Sequence, residues 1–430
     1  MDIDLSSLPD SWRKERIKDV VEFTKKPRGF VISNSYIYFL PMELLPISRL
    51  FAEQFEERPA VQLGSGTYIE DGDLLVAKIT PCFENGKQAI AKIGYPFAFA
   101  TTEVIPLKGR PNLINTLFLH YVLLHPGIRK KLASQMDGST NRQRLGKGVL
   151  EENVIPVPPL NEQCKISEIL FSLQRAIEQQ ERLIFLTTEL KKVLMNKLFT
   201  EGTRGEPQKQ TEIGLMPESW EIVSLGDVLE FIQYGLSVKG SKSGSYQLLR
   251  MTNQVNGKIA PNNIQMVNIS KENFEKFSVR RGDLLFNRTN SFELVGRTAI
   301  FDLEGDYVFA SYLIRIRVDS ARLDPFFLNH YFNNDRTQQR LKSIATRAVS
   351  QSNISATRLK RFSIPFPGIE EQGKISSTLD LLDSKIERYR LMRDCYYDLF
   401  RSLLHKLMTA EIRVNDLDLS ELEIEDLRTG

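Results

Sequence analysis

The side chains able to break bonds or hold a metal are few in this chain, and they do not gather. Four histidines, His120, His125, His330 and His405, are scattered, none at ligand spacing from a cysteine or carboxylate. The three cysteines, Cys82, Cys164 and Cys395, are too far apart for a zinc cluster, and their odd number fits no disulfide framework. Such usage suits a reducing cytoplasm. His120-Tyr121 and His330-Tyr331 recur among apolar neighbours in helical stretches, which reads as packing. No Gly-x-x-x-x-Gly-Lys-Ser/Thr run cradles a nucleotide, no glycine-rich strand-to-helix turn holds a dinucleotide or methyl donor, and no Asn/Asp-Pro-Pro-aromatic run is present. What the chain does offer is basic, amide and hydroxyl side chains in polar loops. Those types bind acceptors and anions, so the chemistry legible here is recognition rather than turnover.

Charge agrees in part. Residues 1–159 carry 20 basic against 18 acidic side chains, and residues 215–368 carry 20 against 14. The last twenty residues carry 2 against 7, and this acidic tail masks the excess in a net charge of +3. A moderately basic second half is compatible with a nucleic-acid surface without establishing one. At 430 residues there is room for two to three domains, each with its own core. No apolar run is long enough to cross a bilayer, and the acidic start Met1-Asp2-Ile3-Asp4 is not a signal peptide.

The elements that must position those loops occur twice. Leu8-Pro9-Asp10-Ser11-Trp12 returns as Met216-Pro217-Glu218-Ser219-Trp220. Gly72-Asp73-Leu74-Leu75 returns as Gly282-Asp283-Leu284-Leu285, and Ile155-Pro156-Val157-Pro158 as Ile364-Pro365-Phe366-Pro367. Behind the latter pair stand Glu162-Gln163 and Glu371-Gln372. Three anchors in one order at nearly one offset describe a duplicated domain. Each copy mixes strand-like runs (Leu74–Ile79; Leu313–Val318) with turn signals at Asn85-Gly86 and Asn256-Gly257. A helical stretch follows in each, over 113–132 and 325–341. Trp12 and Trp220 read as anchors holding each first strand to its core.

Behind each globular domain the pattern changes. Residues 161–200 and 370–410 lack proline and place apolar residues three and four apart. The first stripe is Ile166, Leu170, Leu173, Ile177, Leu183, Leu186, Leu190 and Val193. The second is Ile375, Leu379, Leu382, Ile386, Met392, Tyr396, Leu399, Leu403 and Leu407. Each predicts a helical rod of roughly 60 Å whose stripe is covered by the other copy. The fold expected is α+β: two tandem globular domains separated by two long antiparallel coiled-coil helices, with an internal pseudo-two-fold repeat. The expected divisions are 1–159, the first domain; 160–200, a central helix; 201–214, a polar flexible linker; 215–368, the second domain; 369–410, a C-terminal helix; and 411–430, the acidic tail.

This arrangement resembles the specificity subunit of type I restriction–modification enzymes over nearly the whole chain. The residues that carry the resemblance are Ile213–Trp220, the two Gly-Asp-Leu-Leu steps, the Pro-x-Pro-x-x-x-Glu-Gln step into each helix, and the helix ends Leu194–Thr200 and Leu404–Val414. The resemblance implies that each globular domain is a target recognition domain reading one half of a split DNA site. It implies that the helix pair docks two methyltransferase subunits, which bring S-adenosylmethionine, and that restriction subunits using ATP and Mg can join. The chain itself then catalyses nothing and binds no cofactor. The alternatives are a two-headed adaptor for proteins, which would show aromatic or Met anchors on its loops, and a fused methyltransferase or nuclease.

Given a DNA target, base reading needs paired donors, chiefly Arg to guanine and Asn or Gln to adenine, with Lys, Ser and Thr on phosphates. In the first domain the candidates are Lys78, Thr80 and Lys87 after Gly72, and Arg142, Gln143 and Arg144 within Ser139–Arg144. In the second they are Arg288, Thr289, Asn290 and Arg297 after Gly282, and Arg347, Ser350 and Gln351 before the helix. The loop with Tyr234, Lys239, Ser241 and Lys242 adds Lys239 and Lys242. Lys78 and Arg288 fall at equivalent positions, which suits phosphate positioning. The Gly-Ser/Thr step that the resemblance implies before the second loop is kept at Gly138-Ser139 and absent at Thr346-Arg347. Unlike sequences between the shared anchors imply two unlike half-sites.

Overall fold

The computed structural model describes residues 8–32, 34–139, 142–347 and 351–414. It divides into two compact units, Met1–Leu183 with Tyr389–Gly430, and Ile184–Arg388. Each unit thus holds one globular domain, the near part of the long helix that follows it, and the far part of the other long helix. Among the described residues no helix is long and apolar enough to cross a membrane.

In the first unit, strand Arg13–Arg16 pairs antiparallel with Val154–Val157 and closes the domain just before Pro158-Pro159. A five-stranded sheet runs in the order Val21–Phe23, Val104–Gly109, Leu74–Ala77, Gln88–Ala91, Phe51–Ala52. A four-stranded sheet holds Glu56–Pro59, Tyr36–Leu40, Phe97–Ala100 and Thr67–Glu70. Leu74–Ala77 is buried along its whole length because both faces are covered. Leu74 and Val76 enter one core and Leu75 and Ala77 another, the two-residue period of a strand.

The second unit repeats this plan. Glu221–Ser224 pairs with Ser363–Phe366. Leu284 and Phe286 enter one core and Leu285 a second. The recurring Gly-Asp step has a local cause. Gly72 and Gly282 have φ of 80° and 88°, and each following carboxylate caps its own turn, accepting from the Glu70 and Arg280 amides at 2.7 and 2.8 Å. Asp73 also takes the Thr24 hydroxyl, and Asp283 holds Arg317 by two bonds of 2.6 and 2.7 Å.

Two expectations need correction here. The helical stretches are each two helices: Thr116–Leu124 and Pro126–Ala133 in the first unit, Pro325–Phe332 and Asp335–Ser343 in the second. Pro126 has no N–H to continue a helix and instead starts one, with His125 Nδ1 accepting from Gly127. The second copy achieves the same break without proline, as Asn334 caps the new helix by accepting from Arg336. Nor is 201–214 a free linker. The first long helix runs Leu160–Glu201, and Gln208–Thr211 then pairs with Gly214–Pro217 as a hairpin whose turn is Glu212-Ile213.

The long helices, Leu160–Glu201 and Ile369–Met408, pack antiparallel within each unit. In the first, Glu181 accepts from the Tyr397 hydroxyl at 2.9 Å, and Ile166 and Leu170 share a core with Leu404 and Leu407. In the second, Lys191 meets Asp383 at 2.6 Å, and Leu198 and Phe199 share a core with Ile375 and Leu379. The stripes read from sequence are not covered throughout. Leu186, Leu190 and Val193 are 50, 54 and 65% exposed, and Met392 and Leu399 are exposed too. Helical phase explains this. Each stripe steps six residues, at Ile177–Leu183 and Ile386–Met392, and at about 100° per residue Leu186 lies half a turn from buried Ile177.

Candidate nucleic-acid interface

In the first domain the two candidate loops come together. Lys78 O accepts from Leu145 N at 2.7 Å, Thr80 N donates to Gln143 O at 3.0 Å, and Ile79 bridges Arg144. Lys78 N donates to Glu103 O at 2.9 Å. The Glu103 carboxylate accepts from Arg144 Nε and Nη2 at 3.1 and 2.7 Å, and that pairing, with Lys78 nearby, holds its carboxyl below the usual range. Lys78 and Arg144 line an open cleft of about 390 Å³ with Thr24 and Lys147, whose ammonium lies 4.5 Å from the Phe23 ring centre. Thr80 is partly occupied locally, its hydroxyl donating to Glu84 at 2.9 Å. Lys87 is half-buried, with its amide on Cys82 O, and Arg142 is exposed, with its amide on Ser139 O. Thr140 and Asn141 lie outside the described residues.

The second domain uses the same backbone frame. Arg288 N donates to Tyr312 O at 3.0 Å, and Arg288 O accepts from Ile354 N at 2.9 Å. Thr289-Asn290 pairs with Ser352-Asn353, which pairs with Thr346-Arg347. This small sheet gathers Arg288, Thr289, Asn290, Arg347 and the exposed Gln351 that precedes it. The missing Gly-Ser/Thr step thus coincides with a strand. Ser350 lies outside the described residues. Arg288 stacks 4.6 Å from the centre of the Tyr234 ring and Arg347 3.8 Å from that of Phe292. The Tyr234 hydroxyl is fixed by the Ala356 amide at 2.9 Å. Arg297 is exposed, its carbonyl accepting from Asn287 N. Lys239 and Lys242 are exposed on a loop tied through Ser241 to Met266, beside a different sheet.

Sequence reasoning missed Glu103, Lys147, Phe292, Tyr312 and Asn353. The repeat offset held the signal: Glu103 and Tyr312 fall at one frame position, as do Arg144 and Asn353. The frame is shared and the side chains on it differ. The histidines are structural by contrast. His120 is buried, and burial with the charge of Arg129 holds its imidazole down to about 3. His330 Nε2 pairs with Asp380 at 2.9 Å, and neighbouring Asp383 is taken by Lys191.

Two heads with one frame and unlike polar edges, joined to paired helices, define a two-site recognition scaffold. A family model described as the type I restriction modification DNA specificity domain matches residues 9–184 and again 217–392. The chain belongs to this family and carries its domain twice. It is similar to the type I restriction enzyme MjaVIII specificity subunit of Methanocaldococcus jannaschii, 24% identical over 423 residues, covering 96% of this chain and 95% of that one. It is also similar to the EcoAI specificity subunit of Escherichia coli, 30% identical over 219 residues, covering 50% of this chain and 36% of that protein. Another M. jannaschii specificity subunit matches at 32% over 207 residues, 49% of its length. In fold, the chain resembles the solved type I restriction-modification system S subunit from M. genitalium, with a TM-score of 0.61 at 15% identity over 95% of this chain and 99% of that one.

Proposed function

We propose that the chain is the non-catalytic, DNA-reading subunit of a type I restriction–modification assembly in the cytoplasm, each domain recognising one half of a bipartite, asymmetric duplex target. The observation that carries this is the shared frame with exchanged side chains: Lys78, Glu103 and Arg144 in one domain answer to Arg288, Tyr312 and Asn353 in the other. A reader of two different half-sites needs constant support and variable donors. Exposed Tyr234 and Tyr312 are the kind of anchor a protein adaptor would show, but Arg288 covers the Tyr234 ring, and a cation on an aromatic also suits bases and phosphates.

The exposed apolar residues of the long helices give the docking surface for two methyltransferase subunits. Phe185, Leu186, Leu190 and Val193 form one patch, and Leu391, Met392 and Leu399 form another in the other unit. Leu190 and Leu399 are equivalent across the repeat, which gives each surface one exposed apolar residue at a shared position. S-adenosylmethionine, and ATP with Mg where restriction subunits join, belong to those partners in this reading. The test is binding by the assembled complex. Replacing Arg288, Asn290, Arg297 and Gln351 together abolishes sequence-specific DNA binding while methyltransferase association persists; unchanged DNA affinity rejects the assignment.

A further inference from the structure

The Arg144 guanidinium is held along one edge only. Among the described residues its fork bonds to Glu103 alone, through Nε and Nη2. A guanidinium has five N–H donors in a fixed plane. A carboxylate on the Nε–Nη2 edge leaves the Nη1–Nη2 end with two parallel donors, and the side chain is 60% exposed. Two parallel donors at that spacing match O6 and N7 of guanine on its major-groove edge.

The backbone beneath this fork is hydrogen-bonded on both sides. Arg144 N donates to Asp137 O at 2.8 Å and its carbonyl accepts from Asp137 N at 3.0 Å, while Ile79 bridges it from the other side. Gly138 is packed close against Arg142, since a Cβ there would come within 2.6 Å of Arg142 O. Glu103 is only 22% exposed and stands next to the buried strand Val104–Gly109. The pair is locally neutral, so it adds little general attraction for phosphates, a role left to Lys78 and Lys147 on the same cleft. At the equivalent position of the second domain, Asn353 donates to Thr289 Oγ1 at 2.7 Å and no carboxylate stands at position 312.

We propose that Arg144 is a specificity-determining residue that reads a guanine in the first domain's half-site, with Glu103 as the positioning residue that aims it. This rests on the reading that the Lys78–Arg144 edge faces DNA. The other half-site carries no such requirement at the equivalent place.

The test uses the full chain assembled with its methyltransferase and a library of duplexes randomised across the target, with the bound fraction sequenced. For Arg144→Ala and Arg144→Lys, preference for one G·C pair in one half falls about tenfold to hundredfold. The other half-site is unchanged and serves as the control for folding. Glu103→Gln keeps the shape but frees the fork. It blurs the same base pair while leaving non-target affinity equal or higher, an outcome that simple loss of structure does not give. Uniform weakening across all sequences makes Arg144 a phosphate contact and overturns the proposal alone. An unaltered preference also overturns it. If Lys78→Ala with Lys147→Ala leaves affinity untouched as well, the edge does not face DNA and the broader reading fails with it.

Discussion

Trp12 donates its indole N–H to Glu162 at 3.0 Å, across 150 residues of sequence, at the first turn of the long helix that leaves its domain. The same carboxylate accepts from Arg413 at 2.7 and 2.9 Å, beyond the end of the other long helix. Trp220, Glu371 and Arg204 repeat the arrangement at 3.2 and 3.4 Å. The Glu-Gln step thus ties the start of each domain to the start of its helix and to the end of the other.

Glu162→Ala removes the shared acceptor and leaves a buried indole N–H and a guanidinium without it. The expected loss is about 2–3 kcal/mol, the scale of hydrogen bonds to a charged group, since Arg413 remains partly exposed. Thermal unfolding of the full chain checks it. A loss under about 0.5 kcal/mol, typical of surface changes, contradicts the role.

Leu190→Glu and Leu399→Glu place a charge on exposed helix faces, so each leaves stability within about 0.5 kcal/mol. Each is expected to remove one methyltransferase subunit, and the double variant both. Mass measurement of the reconstituted complex reads this directly, and full occupancy of the double variant rejects the docking surface.

Arg288→Ala takes one cation from the second domain's edge. DNA binding weakens, and the slope of log affinity against log salt falls by about one if Arg288 holds a phosphate. Anisotropy titrations at several salt concentrations decide it. A loss confined to one base pair, with the slope kept, makes Arg288 a base reader instead.

His120 links pH to stability. Buried and held down to about 3 against an ordinary 6.5, it stays neutral in the folded chain where the unfolded chain takes up a proton. Its contribution is therefore complete above pH 6.5 and is lost as pH falls toward 3. Between pH 6.5 and about pH 5 the loss is about 2 kcal/mol. Denaturant titrations of wild type and His120→Gln are expected to differ by that slope; parallel pH profiles contradict it.

The fold was largely legible because its signals are local or duplicated. Gly72-Asp73-Leu74-Leu75 marks a turn and a strand buried on both faces, and both follow from residue type. Pro126 carried its helix break in plain sight, whereas the break at Asn334 depends on a cap that composition alone does not reveal. Apolar count alone does not reveal the exposed part of the helix stripe, because a six-residue step shifts helical phase while preserving that count.

The site was only half legible. Polar loops after Gly72 and Gly282 stood out, and the structure joins them to Arg144 and Arg347. The partners that aim them did not stand out. Glu103 lies 41 residues from Arg144 and looks like any surface carboxylate until the sheet brings them together. Tyr312 becomes visible only by comparing the two copies at one frame position.

The most direct test of the account is a map of methylated adenines in cells expressing the partner methyltransferase with this chain, without it, and with the Arg288, Asn290, Arg297 and Gln351 replacements. The expected result is one bipartite motif with a fixed gap, absent without the chain and lost with the replaced second domain. Methylation that is identical in all three, or a motif without two separated halves, contradicts the assignment of one half-site to each domain.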